Sequence, residues 1–139
     1  MNVRRLGPGD EAVVERLARG AAQTALLADE RTIFIVAFDD AGGPMGFALA
    51  YELPRRHGNA SQLFVYEIDV APACRRQGVG RRLLLEVSRV AEVRGIRGGF
   101  VLTNGSNAAA MSLYESAGGK RPFADDVLWD FEFPLSFET

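Results

Sequence analysis

Apolar residues recur at two different spacings along the chain, and each spacing predicts one kind of element. Short β-branched or aromatic runs and strict alternation predict strands. Apolar residues three and four positions apart predict a helix with one buried face. The predicted strands cover residues 2–6, 32–38, 44–53, 62–70, 100–102 and 126–134. The predicted helices are a segment capped by Asp10, a weaker segment over 21–28, and two longer ones over 78–94 and 107–117.

The order of these elements predicts the fold class. Helical segments follow the first strand, antiparallel strands come next, and helices then alternate with the last strands. We therefore expect one α/β domain over residues 1–139, in which helices flank a mixed, mostly antiparallel sheet. The turn at 39–43 is expected to join the second and third strands as a hairpin.

Alternation also predicts which side chains share a face of the later strands. One face of the fourth strand is expected to carry Leu63, Val65 and Glu67. The other face is expected to carry Phe64, Tyr66, Ile68 and Val70. In the last strand, the alternating aromatic residues Trp129, Phe131 and Phe133 are expected in the core.

Composition excludes several classes of function. A net charge of -2 over 139 residues argues against a nucleic-acid-binding protein, which needs a basic face. The single cysteine, Cys74, and the single histidine, His57, leave too few ligands for a usual zinc site and exclude an internal disulfide. With no long apolar run and no apolar N-terminal stretch, we expect neither a membrane span nor a secretory signal, and a reducing cytoplasmic location.

The loop between the fourth strand and the long helix predicts an anion site. The strand ends at Val70 and the helix begins near Gly78, where several backbone amides lack internal partners and the helix dipole favours negative charge. Gly78 and Gly80 would let an anion approach closely. Four arginines cluster there: Arg75, Arg76, Arg81 and Arg82. A phosphate is the simplest partner, and the alternative is a solvated basic loop.

The loop is neither a Walker loop nor a Rossmann fingerprint, because it lacks Gly-Lys-Ser/Thr and a third glycine. Residues 75–80, Arg-Arg-Gln-Gly-Val-Gly, resemble the R/Q-x-x-G-x-G/A signature of the GNAT superfamily of acetyl-CoA-dependent N-acetyltransferases. Residues 68–72 resemble the strand and turn before that signature. Residues 107–118 resemble the later N-x-x-A-x-x-L-Y-x-x-x-G element. Two separated motifs in the right order make the resemblance specific.

The resemblance implies where acetyl-CoA binds. The fourth and fifth strands would splay apart, and the pantetheine arm would pair with the fourth strand as an added strand would. The pyrophosphate would lie on the amides that follow the strand, with arginines beside it and Asn107 near the pantetheine. The implied cofactor-binding residues are Ile68, Asp69, Val70, Arg75, Arg76, Gln77, Gly78, Val79, Gly80, Arg81 and Asn107.

Two residues are candidates for the chemistry of acetyl transfer. An amine attacks only when it is neutral, so a base must accept its proton. Glu67 precedes the proposed cofactor strand segment and shares a face with Asp69, which favours Glu67 as that base. The alternative is that both carboxylates mark a solvated strand face. The resemblance implies that Tyr114 donates a proton to the leaving thiolate; the alternative is a tyrosine that packs its helix on the sheet.

The acceptor is expected to be cationic. Acidic residues would attract a polycation by electrostatic steering. Residues 34–39, 46–54 and 65–70 resemble the aminoglycoside 3-N-acetyltransferase branch, where the acidic residue after the tyrosine of the fourth strand contacts the substrate amine. That position is Glu67 here. The candidate substrate-binding residues are Tyr66, Glu67, Asp69, Asp125 and Asp126.

The identity of the acceptor, the occurrence of turnover and the oligomeric state stay open at this point. The acceptor can instead be another polyamine or small amine, or a protein or peptide amine, or the chain can bind acetyl-CoA without turnover. Cys74 is expected to be a small loop residue and His57 an exposed one. An apolar last strand would expose an edge beside Trp129 and Phe131, so we expect a homodimer.

Overall fold

A computed structural model describes residues 1–58 and 60–137 of the chain. The strands are β1 (Asn2–Arg5), β2 (Thr32–Phe38), β3 (Pro44–Pro54), β4 (Ser61–Val70) and β5 (Gly99–Val101). The helices are α1 (Glu11–Leu17), α2 (Val79–Val93) and α3 (Ala108–Ser116). Short 3₁₀ turns cover Thr24–Ala28 and Pro72–Cys74. The first five predicted strands and the two long helices are therefore confirmed, and the weak helical segment is a 3₁₀ turn.

The strands form one sheet in the order β1-β2-β3-β4-β5. Each neighbouring pair is antiparallel except β4 and β5, which are parallel. The mixed, mostly antiparallel sheet that the element order predicts is confirmed. Strand β2 lies near the middle of the sheet and is buried along its whole length, which explains its uninterrupted run of apolar residues.

Helices cover the two faces of the sheet. On one face, α2 packs its buried residues Leu83, Val87 and Val90 against β2, β3 and β4. On the other face, α1 and the 3₁₀ turn at Thr24–Ala28 cover Phe34, Val36 and Leu49. The opposite faces of the sheet therefore have different roles: the α2 face holds the larger core, and the α1 face is the one that carries the acidic side chains described below.

Strand β4 contains an irregularity that moves its side chains from one face to the other. In the β3–β4 pairing, Leu49 lies opposite Glu67, whereas the next residue, Ala50, lies opposite Val65. Tyr66 is therefore an extra residue, as in a β-bulge. Beyond the bulge, Ile68 and Val70 pack on the α2 face together with the buried residues before it. The predicted assignment of faces beyond Tyr66 was wrong, because strict alternation does not continue through a bulge.

The same point in β4 is where β5 separates from it. Their pairing ends at Val65 opposite Val101, while β4 continues to Val70. Among the described residues, no strand pairs with this side of β4 from Tyr66 onward. The fourth and fifth strands are thus splayed, as the resemblance implied, and a cleft opens between them.

The segment after α3 departs from the prediction. Residues 126–134 form no strand, and every residue from 115 to 137 is exposed. Trp129 is 77% exposed and Phe133 is 79% exposed, so neither lies in the core. The alternation of apolar residues is real, but a strand forms only when a neighbouring edge pairs with it. No such pairing exists in the described part of this single chain.

Candidate active site

The cleft between the splayed strands has a volume of about 1170 Å³. One wall is the bulged half of β4, from Tyr66 to Val70. The start of α2 and its preceding loop form the floor at one end, and α3 contributes Asn107 and Tyr114. The segment between α1 and the first 3₁₀ turn closes the opposite side. The predicted base, acid and anion loop therefore line one continuous cleft.

The loop at the start of α2 presents a run of backbone amides without acceptors. The first amide bonded to a carbonyl of the helix is that of Arg82, whose nitrogen lies 3.0 Å from the Gly78 oxygen. Among the described residues, none accepts from the amides of 77–81. Arg76 and Gly78 both have left-handed backbone, at φ 64 and 78. Such a turn makes a concave cluster of amides that suits an anion.

Side chains brace this loop as well as line the cleft. The Arg75 Nε donates to the Val70 carbonyl oxygen at 3.2 Å, which ties the loop to the end of β4. The Gln77 amide nitrogen donates to the Ala73 oxygen at 3.4 Å. Arg75, Arg76 and Arg81 line the cleft, but Gln77 does not, so its predicted contact with the cofactor stays a prediction. The three arginines are therefore placed to complement an anion on the amides.

Gly80 has a second role that the sequence did not predict. A Cβ atom at this position would lie 3.0 Å from a terminal methyl carbon of Leu113 on α3. Gly80 therefore lets α3 pack closely on the first turn of α2, besides leaving the amides accessible. Tyr114 follows Leu113 directly, so this packing also fixes the candidate acid relative to the anion loop.

We expect Gly80→Val to weaken coenzyme A binding and to lower the free energy of unfolding by about 1–3 kcal/mol, as overpacking does. The added side chain would push Leu113 and α3 away from the loop. Calorimetry and denaturant unfolding measure the two effects. Gly105→Val is the matched control, because a Cβ there meets no atom within 4 Å. Equal effects of the two substitutions would contradict the packing role.

Glu67 and Asp69 lie on the same face of β4, as predicted. Their positions opposite Leu49 and Phe47 put both on the α1 face, and both line the cleft. Glu67 was predicted to share a face with Leu63 and Val65. That prediction was wrong, because the bulge at Tyr66 puts Glu67 on the opposite face. The Asp69 carboxylate lies 3.8 Å from the guanidinium of Arg19, and the Asp69 side chain is 51% exposed. Glu67 forms no salt bridge among the described residues.

Tyr51 is a neighbour of Glu67 that sequence reasoning missed. Burial raises the pKa of the Tyr51 hydroxyl, and the Glu67 carboxylate adds to the rise. Its ring lies 6.0 Å from the ring of Tyr66, edge to face. Tyr51 therefore stays protonated at neutral pH beside the candidate base. Tyr51 lies on β3 and Glu67 lies on β4, so only the register between these two strands shows that they are neighbours.

Tyr114 lies on α3, half-buried in the cleft wall. Burial raises the pKa of its hydroxyl above the ordinary tyrosine value. The ends of its helix are well defined: the Asn107 side-chain oxygen accepts from the Ala110 amide at 3.1 Å. At the other end, the Gly119 amide donates to the Tyr114 carbonyl at 2.9 Å, after a left-handed Gly118. Asn107 thus caps the helix that holds the candidate acid.

Other predicted residues lie away from the cleft. Asp125 and Asp126 are exposed in the segment after α3 and do not line the cleft, so their contact with substrate stays a prediction. His57 is exposed in the loop after β3. Cys74 is half-buried, lines the cleft and packs against the larger core cluster.

The wall of the cleft opposite β4 is the part that the sequence did not reveal. It is formed by residues of α1 and the segment after it: Leu17, Ala18, Arg19, Ala21, Gln23 and Leu26. Their spacing is that of an ordinary amphipathic segment, which gives no sign of a binding wall.

In the described ranges, no helix has the length and apolar character needed to cross a bilayer. The cytoplasmic location stays a prediction.

The cleft therefore combines a parallel pair of strands that separate with a cluster of backbone amides that have no acceptor among the described residues. The model of the acetyltransferase (GNAT) family matches residues 7–119, and the chain belongs to that family. The family that the loop and α3 motifs resemble is thereby confirmed.

Curated relatives match over shorter stretches. The chain is 45% identical over 69 residues to the mycothiol acetyltransferase of Thermobifida fusca, a match that covers 50% of this chain and 20% of that protein. It is 43% identical over 54 residues to the [ribosomal protein bS18]-alanine N-acetyltransferase of Escherichia coli, covering 39% and 36%. The chain thus spans about a fifth to a third of the curated relatives it matches.

A solved structure matches over nearly the whole chain. It is that of HMB0005, an aminoglycoside acetyltransferase from an uncultured soil metagenomic sample. The two are 25% identical, with a TM-score of 0.78 over 97% of this chain and 98% of the other. This similarity confirms the fold.

Proposed function

We propose that this chain transfers the acetyl group of acetyl-CoA to a primary amine of an aminoglycoside, the 3-amino group of the deoxystreptamine ring, and so gives resistance. One observation carries the proposal: Glu67 and Tyr114 line the same cleft as residues 78–81, whose amides have no acceptor among the described residues. The similarity to the aminoglycoside acetyltransferase HMB0005 supports the choice of acceptor.

The cleft fits the cofactor that the family uses. The amides of residues 77–81 have no intrachain acceptor among the described residues, and they can donate to a pyrophosphate between Arg75, Arg76 and Arg81. The unpaired side of β4 from Tyr66 to Val70 offers backbone groups to an extended amide chain. When bound, acetyl-CoA supplies an acetyl thioester, which an amine can attack.

Glu67 is the proposed base. It faces the cleft, forms no salt bridge among the described residues, and lies near the protonated hydroxyl of Tyr51. Its carboxylate accepts the proton that the acceptor amine must lose as the new C–N bond forms. Asp69, on the same face, attracts the cationic acceptor, and the Arg19 guanidinium lies 3.8 Å from the Asp69 carboxylate.

Tyr114 is the proposed acid. As the C–S bond breaks, the tyrosine hydroxyl donates its proton to the departing sulfur. Glu67 takes up one proton and Tyr114 gives one up, so the protons of the reaction balance. The raised pKa of Tyr114 keeps the hydroxyl protonated at neutral pH. The resulting phenolate recovers a proton from solvent through the open cleft.

A second candidate acceptor is the amine of a protein or peptide. The 43% identity to the bS18-alanine N-acetyltransferase over 54 residues favours it. The same cleft would serve, because the base and the acid act on any primary amine that reaches Glu67. The two acceptors differ in what lies beyond the amine: several further cationic groups in one case and a neutral peptide chain in the other.

We expect thiol release from acetyl-CoA to be fastest with a gentamicin-type aminoglycoside, slower with spermidine, and slowest with alanine-initiated peptides. The acidic face of β4 attracts several positive charges more strongly than one. A colorimetric thiol assay measures release for each amine, with amine-free hydrolysis as the control. Fastest release with the peptide would select the second acceptor. Coenzyme A binding without release on any amine would overturn acetyl transfer.

A further inference from the structure

Four aromatic side chains stand side by side across β3, β4 and β5, and we call them the aromatic row: Tyr51, Phe64, Tyr66 and Phe100. Tyr51 lies opposite Phe64, and Phe64 lies opposite Phe100, so these three occupy the same level of the three strands. The rings of Phe64 and Phe100 are stacked with centroids 4.6 Å apart. The Tyr66 ring lies 5.6 Å from that of Phe64 and 6.0 Å from that of Tyr51. Ring contacts therefore run without a break from β5 to β3.

The aromatic row lies on the α1 face of the sheet. Leu63 and Val65, which flank Phe64, belong to the core on the α2 face. Val101, which follows Phe100, packs against the same core. Because side chains alternate along a strand, the rings between these residues point to the other face. The core cluster under α1 includes only the ring on β3, so the rest of the row lies beyond the part of the face that α1 covers.

The aromatic row has open ring surface and begins in the cleft. Tyr66 is 54% exposed and Phe100 is 40% exposed. Tyr66 lines the cleft and directly precedes Glu67, the proposed base. Contiguous exposed apolar side chains beside a cleft are typical of a binding surface, whereas single scattered ones are not. A molecule whose amine reaches Glu67 can therefore extend its remaining part over the row.

Negative charge surrounds the aromatic row. Burial is the main reason that the pKa of the Tyr51 hydroxyl is raised, and the carboxylates of Glu67 and Asp29 add to the rise, which places both charges near the row. Neither carboxylate forms a salt bridge within the described ranges. The faces of aromatic rings are also electron-rich and attract cations. The surface therefore suits a ligand that has an apolar face and positive charges at its rim.

We infer that the aromatic row is an acceptor subsite, on which one face of a saturated amino-sugar ring packs while its ammonium groups meet Glu67 and Asp29. The C–H groups of such a ring carry slight positive charge and fit the negative face of an aromatic ring. The inference rests on the proposed transfer to an aminoglycoside and names the residues that would select it. A flexible polyamine has the charges but no ring face, so the row gives it no comparable contact.

Substitutions in the aromatic row test the subsite through KM. We expect Tyr66→Ala to raise KM for a gentamicin-type aminoglycoside about three- to tenfold, the size of one lost ring contact, with little change in kcat because the base and the acid remain. Phe100→Ala, on another strand, should act in the same direction. Tyr66→Phe keeps the ring and should keep the KM of the parent chain. Phe123→Ala is the matched control, because Phe123 is 67% exposed, does not line the cleft and lies outside the row.

Spermidine distinguishes a ring contact from a general disturbance of the site. Its KM should be the same in the parent chain and in Tyr66→Ala, since it offers no ring to the row. An equal rise for both amines would mean that the substitution acts through the neighbouring base. That outcome would contradict the inference, and so would an aminoglycoside KM that stays unchanged in both alanine variants.

Calorimetry in the presence of coenzyme A measures binding of the same aminoglycoside without turnover. Weaker binding in Tyr66→Ala, with spermidine binding unchanged, would support the subsite even if no acetyl group were transferred. No binding to the parent chain, or equal binding by parent and variant, would overturn the subsite, while thiol release would still decide acetyl transfer. Light scattering is the last check. A change of mass in Phe100→Ala with unchanged affinity would assign the row to an interface between copies and overturn the inference.

Discussion

Replacing Glu67 by glutamine is expected to lower turnover by a factor of about 10²–10⁴, which is what a positioned general base contributes. Glutamine keeps the size of the side chain and removes only its ability to accept the proton. Glu67 is exposed and forms no salt bridge in the described part of the chain, so stability should not change. The backbone groups that would hold coenzyme A are also unchanged, and its affinity should stay the same. Thiol release and calorimetry measure the two quantities.

Two further variants show whether the loss is specific to Glu67. Asp69→Asn removes the neighbouring carboxylate on the same face, and we expect it to raise KM for a cationic acceptor more than it lowers kcat. Glu115→Gln changes a carboxylate that is exposed on α3 and does not line the cleft, and we expect no effect. Unchanged turnover in Glu67→Gln would exclude it as the base.

The sequence predicts the parts of the fold that depend on local patterns. Strand β2 was predicted with its observed bounds, because a strand buried on both faces is apolar over nearly its whole length. Helix α2 has a clear amphipathic period, and the glycines before it mark where it begins. The anion site was predicted from the start of this helix, from its glycines and from the nearby arginines, all of which are local features of the sequence. Its unpaired amides then follow from the geometry of any helix N-terminus.

The parts that the sequence does not predict depend on pairs of distant segments. The bulge at Tyr66 exists only relative to β3, and no residue type within β4 announces it. The proximity of Tyr51 to Glu67 depends on the same register. The close approach of Leu113 to Gly80 likewise needs two helices in place.

The segment after α3, residues 122–137, differs from the prediction for another reason. Its alternation of apolar residues predicts a strand, and that prediction was wrong, because a strand at the edge of a sheet forms only with a partner. The described residues of a single chain provide no such partner. Alternation along one segment therefore predicts that it can form a strand, but not whether a neighbouring strand is available to pair with it.

Replacing Tyr114 by phenylalanine is expected to lower turnover by about 10²-fold or more, in the range of general acid catalysis. Phenylalanine keeps the ring in the cleft wall, and the hydroxyl has no hydrogen-bond partner among the described residues. The packing of α3 on Gly80 should therefore persist. Single-turnover thiol release measures the chemical step, and thermal unfolding at neutral pH checks that the helix is intact.

The pH dependence separates an acid from a packing residue. Because burial raises the pKa of Tyr114, the parent enzyme should lose activity only above the ordinary tyrosine range, and this alkaline decline should be absent in Tyr114→Phe. Stability changes with a known sign. The raised pKa in the folded chain means that the parent loses stability as pH rises through the tyrosine range, whereas the variant lacks this loss. If turnover and its alkaline decline were both unchanged in the variant, Tyr114 would be a packing residue.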